Sequence, residues 1–331
     1  MSDHSSKTAV LSAIAANSFL TVAKFAGAVL SGSGSMFGEA IHTLADLMNQ
    51  ILLYVGLTRA ERPPTPEHPY GFAAESFIWA LISAVGIFFL GCGVTVYHGI
   101  HALLHPGPIE LSYVALGTLG LSFVTDGVVL MICYRGLRKA AGDKPFFHYV
   151  NTEADPTSVA VLLEDSVATL GVLVALAGLG LSLATGNPIY DALGTLVIGL
   201  MLGGVAVFLV AKNRSFLVGK SAPPEALALF EKILRSHPGV LEVRAIKSEI
   251  EGIDLFRFKA DVNLDGKVLA RQLAPWVEGE AGRVAGKAEL LRFTEDYAVK
   301  LLAAHNVEIN SLEAKVREAI PQARYVDLES D

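Results

Sequence analysis

Six long apolar segments dominate the first two thirds of the chain. They cover residues 8–31, 35–57, 73–100, 111–134, 156–183 and 189–211. A bilayer core of about 30 Å requires about 20 apolar residues per helix, and each segment is long enough to cross it. The segments are also rich in Gly, Ala and Ser, which lets membrane helices pack closely. The pattern therefore predicts an α-helical membrane protein with a six-helix transmembrane domain over residues 1–212.

The pattern changes after residue 212. The segment "PPEALALFEKILRSHPG" has the Pro start and Pro-Gly end of a soluble helix. In "LFRFKADVNLDG" apolar and polar residues alternate, as they do in a half-buried strand. Residues 268–319 are predicted to be mainly helical, and "ARYVDLES" to be a closing strand. The order α-β-β-α-β predicts a small α+β domain of the ferredoxin-like kind over residues 213–331.

The distribution of charge supports this division. The mean hydropathy is +0.47, and 36 of the 59 Asp, Glu, Lys and Arg residues follow residue 212. The net charge of −7 comes without a basic stripe, so no nucleic-acid partner is expected. Cys92 and Cys133 lie in apolar runs and indicate neither a disulfide framework nor a thiolate metal site.

The loops between the apolar segments differ in charge. Ten Lys and Arg residues fall on one side of the predicted membrane, whereas the loops "SGSG", "HALLHPGPIE" and "ATGNP" on the other side contain none. The positive-inside rule then predicts that both termini are cytoplasmic. The start "MSDHSSK" has the features of neither a cleavable signal nor an organelle import sequence. We therefore expect a multi-pass protein of a bacterial inner membrane.

Several polar residues interrupt the apolar segments. His42 and Asp46 are spaced i, i+4 on one helix face, and Asn49 lies on the same stripe. Glu164 and Asp165 are adjacent in a later segment, about 100° apart around the helix. Because an imidazole with carboxylates favours Zn²⁺, these residues indicate a divalent-metal site. His42 titrates near neutral pH, so metal binding there would displace a proton and permit metal/proton exchange.

Other readings remain open at this stage. The His–x₃–Asp pair alone would also suit a structural hydrogen bond inside a helix bundle. Lys24, Glu39 and Asp126 are also intramembrane, and we interpret them mainly as internal ion pairs or proton-path residues, with Glu39 paired to a residue such as Lys24. His98 lies near the end of the third segment, where its side chain can reach the interface.

Several motifs together resemble one known family. These are "SGSGSMFGEAIHTLADLMNQ", "EHPYGFAAES", "VLLEDSVATLGV", "GNPIYDALGTL" and the terminal "VDLE", which occur in order over nearly the whole chain. The chain resembles the cation diffusion facilitators, and within them the zinc-transporter-nine-like branch. The resemblance implies a homodimeric antiporter that exports Zn²⁺ from the cytoplasm in exchange for protons.

The resemblance also implies a set of metal ligands. His42 and Asp46 match the pair on the second span of the family, and Asp165 matches the acid on the fifth. Val161 stands where the fifth-span His is usual, and Glu39 stands where an Asp is usual. One ligand is thus missing, and the preference among Zn, Mn, Fe, Co and Cd is left open.

Glu164 is the natural replacement for the missing ligand, with Asn49 or water as alternatives. The favoured function is a secondary transporter of Zn²⁺ in which the ion is the substrate and there is no resident cofactor. The alternative is a non-transporting membrane metal sensor or scaffold that acts through the C-terminal domain. An enzyme is not expected, because "HTLAD" lacks the H-E-x-x-H arrangement of a metalloprotease.

Overall fold

The computed structural model describes residues 3–31, 34–106 and 113–330. Within these ranges some side chains lie outside the description, including those of Glu39 and His42. The chain divides into two compact units, Met1–Val218 and Gly219–Asp331.

The described residues of the first unit form helices and connecting loops, without strands. Its helices are α1 (Asp3–Ser31), α2 (Gly34–Ala60), α3 (Glu75–Gly86), α4 (Val94–Leu104), α5 (Tyr113–Ala141), α6 (Phe146–Thr152), α7 (Pro156–Thr185) and α8 (Ile189–Leu217). A π-helical stretch, Ile87–Gly93, joins α3 to α4 without a break. α7 starts where the Asp155 side chain accepts a hydrogen bond from the Ser158 backbone N–H and Pro156 occupies the first turn.

Four helical stretches in the described part of the chain are long and apolar enough to cross a membrane. They are Glu75–Leu104, Leu119–Ala141, Pro156–Thr185 and Ile189–Leu217. They correspond to the third to sixth predicted spans, and they expose large apolar side chains such as Phe89 (67%) and Leu200 (66%). The first two predicted spans do not reach this standard, although α1 contains a shorter apolar stretch, Val10–Ala26. The described residues of α1 and α2 do not establish that these two helices cross the membrane, so six spans remain a prediction.

Close packing of α7 against α8 depends on a glycine. A Cβ atom at Gly178 would lie 2.9 Å from the Tyr190 carbonyl oxygen and 3.3 Å from the Asp191 Cα. Two residues further along α7, a Cβ atom at Gly180 would meet nothing within 4 Å. The two glycines therefore have opposite packing environments on the same helix.

We expect Gly178→Leu to destabilise the helical unit, because the new side chain would push against backbone that cannot move cheaply. Overpacking of this kind typically costs about 1–3 kcal/mol. Thermal unfolding of the purified full chain in detergent measures the effect. Gly180→Leu is the matched control and should change the melting temperature little. Equal losses in the two variants would contradict the packing described for α7 and α8.

The second unit combines three strands with helices. Its elements are α9 (Pro224–Arg235), β1 (Val240–Gly252), β2 (Leu255–Leu264), α10 (Gly266–Gln272), α11 (Ala274–Ala281), α12 (Lys287–Ala319) and β3 (Ala323–Ser330). The sheet order is β1-β2-β3, with β1 antiparallel and β3 parallel to β2. The region of residues 268–319, which was predicted to be mainly helical, contains three helices.

A single apolar core holds the second unit together. Phe258, Ala260 and Val262 of β2 are fully buried, on the face that the alternating pattern predicted. The Phe258 ring stacks on that of Phe230 from α9, with centroids 4.7 Å apart. Leu312 of α12 is also fully buried in this core. Both helices therefore cover the same side of the sheet.

Candidate metal site in the helical unit

Four carboxylates from three helices approach one another in the helical unit. Asp46 lies on α2, Asp126 on α5, and Glu164 and Asp165 on α7. The charges of Asp46 and Asp165 act on Glu164. Those of Asp126 and Asp46 act on Asp165. Since like charges in a buried place repel, such a cluster favours the binding of a cation or protons.

Asp165 is the most enclosed of these acids. Only 5% of the residue is exposed, and its Oδ2 atom has no hydrogen-bond partner among the described residues. A buried carboxylate oxygen without a partner is costly, and most buried polar atoms in proteins are satisfied. This oxygen is therefore free to bind an ion or a proton.

Glu164 is held by a chain of hydrogen bonds that crosses three helices. The Asn49 side-chain nitrogen donates to Glu164 Oε1, which joins α2 to α7. The Ser83 hydroxyl of α3 donates to Asn49 Oδ1 at 2.6 Å. Because Ser83 binds the amide oxygen, Asn49 turns its nitrogen towards the carboxylates. In this arrangement Asn49 positions Glu164 and does not present its oxygen as a ligand.

Sequence reasoning did not single out Ser83. The only signal was a hydroxyl in the apolar run "WALISAVG". A second bond that it missed joins Asn17 Nδ2 to Gln50 Oε1 at 2.9 Å, between buried side chains of α1 and α2. Polar residues within apolar helices were the available clue to both bonds, but the pairing depends on how each helix is rotated.

The predicted accessory lysine also lies between helices. Lys24 Nζ donates to the Thr43 hydroxyl at 2.8 Å, which links α1 to α2 close to Asp46 in sequence. The predicted pairing of Lys24 with Glu39 remains untested, because the Glu39 side chain lies outside the described residues.

The described side chains include only part of the predicted ligand set. The backbone of His42 is part of α2, but its side chain lies outside the described residues. No three of the described His, Cys, Asp and Glu side chains are arranged to hold a metal ion. Val161 is fully buried on α7, at the position where the resemblance predicts a missing ligand. The assignment of metal ligands therefore remains a prediction.

The comparison with known proteins decides the family. Residues 10–218 match the family described as the cation efflux transmembrane domain. The chain belongs to the cation efflux family. This confirms the resemblance to the cation diffusion facilitators.

Individual relatives of this cation efflux protein extend the match beyond the helical unit. It is 38% identical over 327 residues to proteins of Xenopus laevis and Homo sapiens named "Proton-coupled zinc antiporter SLC30A9, mitochondrial". The matches cover 97% of this chain but 58% of each of those relatives. It is 34% identical to "Metal tolerance protein C4" of Arabidopsis thaliana, with 100% of this chain and 74% of the relative covered.

The comparisons correct one prediction about this cation efflux protein. The predicted location in a bacterial inner membrane is wrong, since the animal relatives that match most of the chain are named as mitochondrial. The prediction rested on the start "MSDHSSK", which has the features of neither a cleavable signal nor an organelle import sequence, and this observation does not identify the membrane in which a protein lies. A multi-pass membrane protein agrees with the four apolar helices.

Proposed function

We propose that this protein is a secondary transporter that moves Zn²⁺ across a membrane in exchange for protons. The observation that carries the proposal is the buried Asp165 carboxylate, with one unpartnered oxygen, in a cluster of acids from three helices of a cation efflux domain. The names of the animal relatives support zinc as the ion and protons as the coupled species.

The proposed ligands are His42, Asp46, Asp165 and Glu164. His42 and Asp46 share one face of α2, and Glu164 and Asp165 follow each other on α7. Because no three described side chains are already arranged around one point, the side chains of α2 and α7 would have to turn towards the ion to bind it. Glu164 would replace the His ligand that is missing because residue 161 is Val. A set of one imidazole and three carboxylates suits a four-coordinate Zn²⁺ ion.

Proton exchange follows from the charge of the cluster. When Zn²⁺ leaves, the carboxylates of Asp46, Glu164 and Asp165 lose their counter-charge in a poorly solvated place. Proton uptake by these acids and by His42 would then restore the balance, and a new Zn²⁺ ion would displace those protons. Asp126 would act as an accessory acid through its charge on Asp165.

The finer architecture is part of the same proposal. We propose that α1 and α2 also cross the membrane, which would complete six spans, since their polar residues face neighbouring helices in the contacts described above. Residues 213–331 would form a ferredoxin-like domain, and the protein would be a homodimer like most symmetric oligomers.

Transport into liposomes tests the proposal. The purified full chain is reconstituted, Zn²⁺ is added outside, and uptake is followed with a zinc-sensitive dye under an imposed pH gradient. We expect uptake that depends on the gradient and collapses when a protonophore dissipates it. Zinc binding without uptake would instead favour the metal sensor or scaffold. Repeating the assay with Mn²⁺, Fe²⁺, Co²⁺ and Cd²⁺ determines the metal preference.

A further inference from the structure

Three of the nine histidines of the chain fall within residues 98–105, at the end of α4. Two of them, His101 and His105, are exposed and spaced i, i+4. Their rings are stacked, with centroids 4.7 Å apart and planes inclined by 26°. The His105 backbone N–H donates to the His101 carbonyl oxygen at 2.9 Å, so the last turn of the helix fixes this spacing.

The separation of the two rings suits a shared metal ion. Zinc lies about 2.0–2.1 Å from an imidazole nitrogen, and two rings bonded to one tetrahedral ion would have centroids about 5 Å apart. The rings of His101 and His105 are already close to that distance, so rotation of the exposed side chains could aim one nitrogen of each ring at a shared ion. Exposed positions leave room for water to complete the coordination.

The surrounding charge favours a cation. The predicted loops on this side of the membrane contain no Lys or Arg. The first turn of α8 contributes Asp191, whose carboxylate interacts favourably with His98 on α4. α4 and α8 approach closely here, since a Cβ atom at Gly99 would lie 2.8 Å from the Leu196 side chain. An acid is thus fixed near His98, one turn before His101, by helix packing.

We propose that His101 and His105 form a shallow binding site for a divalent transition-metal ion, separate from the acids between α2, α5 and α7. Imidazole ligands suit Zn²⁺, Cu²⁺, Ni²⁺ and Co²⁺ rather than Mg²⁺ or Ca²⁺. The site lies at the C-terminal end of the Glu75–Leu104 stretch, and Glu75 lies at its N-terminal end. A role of this site in transport, as a place where ions bind before or after they cross the membrane, rests on the proposed function. The binding of a metal ion to the site does not.

The site is tested by titrating zinc into the full chain in detergent and measuring the binding by isothermal titration calorimetry. All variants carry Asp165→Asn, so that binding between the helices does not obscure the signal. We expect His101→Gln and His105→Gln each to weaken zinc binding at this site at least tenfold. Combining the two should add little, because the first change already destroys the chelate.

Two controls separate chelation from the mere presence of histidines. His98→Gln removes an exposed histidine of the same helix outside the stacked pair and should change the affinity less than twofold. The second control adds Ala102→His to His105→Gln, so that the number of histidines is restored. The two histidines are then neighbours in sequence and lie about 100° apart around the helix, so zinc binding should not be restored. If His101→Gln or His105→Gln binds zinc like its parent, the two rings are only an aromatic contact and the proposal is overturned. Loss of Zn²⁺ transport in liposomes would leave this titration unaffected, so failure of the proposed function is distinguishable from failure of this site.

Discussion

Zinc transport by an Asp165→Asn variant is expected to fall at least about 100-fold, which corresponds to about 2.7 kcal/mol. Asn has nearly the same shape as Asp, but it is neutral and a weak ligand for Zn²⁺. The Asp165 Oδ2 atom has no hydrogen-bond partner among the described residues, so little structural bonding is lost. The initial rate of Zn²⁺ uptake in liposomes under a pH gradient measures the effect.

Ser122→Ala provides a matched control for this experiment. Ser122 is buried on α5, one turn before Asp126, and within the described residues its hydroxyl also lacks a partner. Removing this neutral group should leave transport within about twofold of the unmodified protein, as expected for a polar atom with no bond to lose. Full transport by Asp165→Asn would mean that the buried acid is not a ligand.

A Glu164→Gln variant is expected to lose at least about tenfold in apparent Zn²⁺ affinity, or about 1.4 kcal/mol. Gln keeps the length of the side chain but removes the charge that would bind the ion. Val161→His in the same chain should restore part of the loss, because residue 161 lies one turn before Asp165 and would recreate a His–x₃–Asp pair. The Zn²⁺ concentration that gives half-maximal uptake is the measurement.

Val161→His in the otherwise unmodified chain is the control for this rescue. Because residue 161 is fully buried, the larger side chain has a packing cost that must be known separately. An unchanged Zn²⁺ affinity in Glu164→Gln would show that Glu164 is peripheral and that water or Asn49 completes the coordination.

For the membrane unit, the sequence predicted where the helices lie better than it predicted the side-chain contacts between them. Apolar length identified the stretches that begin near residues 75, 156 and 189, because length and composition alone decide whether a helix can cross a bilayer. It also placed His42, Asp46 and Asn49 on one stripe of α2. It did not indicate that Asn49 turns towards Ser83 and Glu164, because that depends on the rotation of three helices about their axes.

Two neighbouring acids illustrate the same limit. The 100° offset between Glu164 and Asp165 means that the two side chains leave α7 in different directions. In the structure Asp165 is buried, and the longer Glu164 side chain reaches Asn49. Helical geometry gave the offset, but the length of the side chain decides what each acid contacts.

The C-terminal unit was easier to predict, because strand alternation and helix breakers are local signals. The face of β2 that carries Phe258, Ala260 and Val262 is buried as predicted. The division of residues 268–319 into three helices was missed, although Gly282 and Gly286 mark the gap before α12. Glycine is unfavourable within a helix and commonly interrupts one.

The bond from Asn49 to Glu164 has a consequence for the speed of ion exchange. An ion that takes Glu164 Oε1 as a ligand competes with the Asn49 amide, whereas an ion bound to Oε2 alone leaves that hydrogen bond in place. A hydrogen bond to a charged group is worth about 1.5–3 kcal/mol, so displacement from Oε1 would weaken cargo binding. Since affinity differences fall mainly on dissociation rates, this competition would shorten the dwell time of each ion and favour turnover over storage.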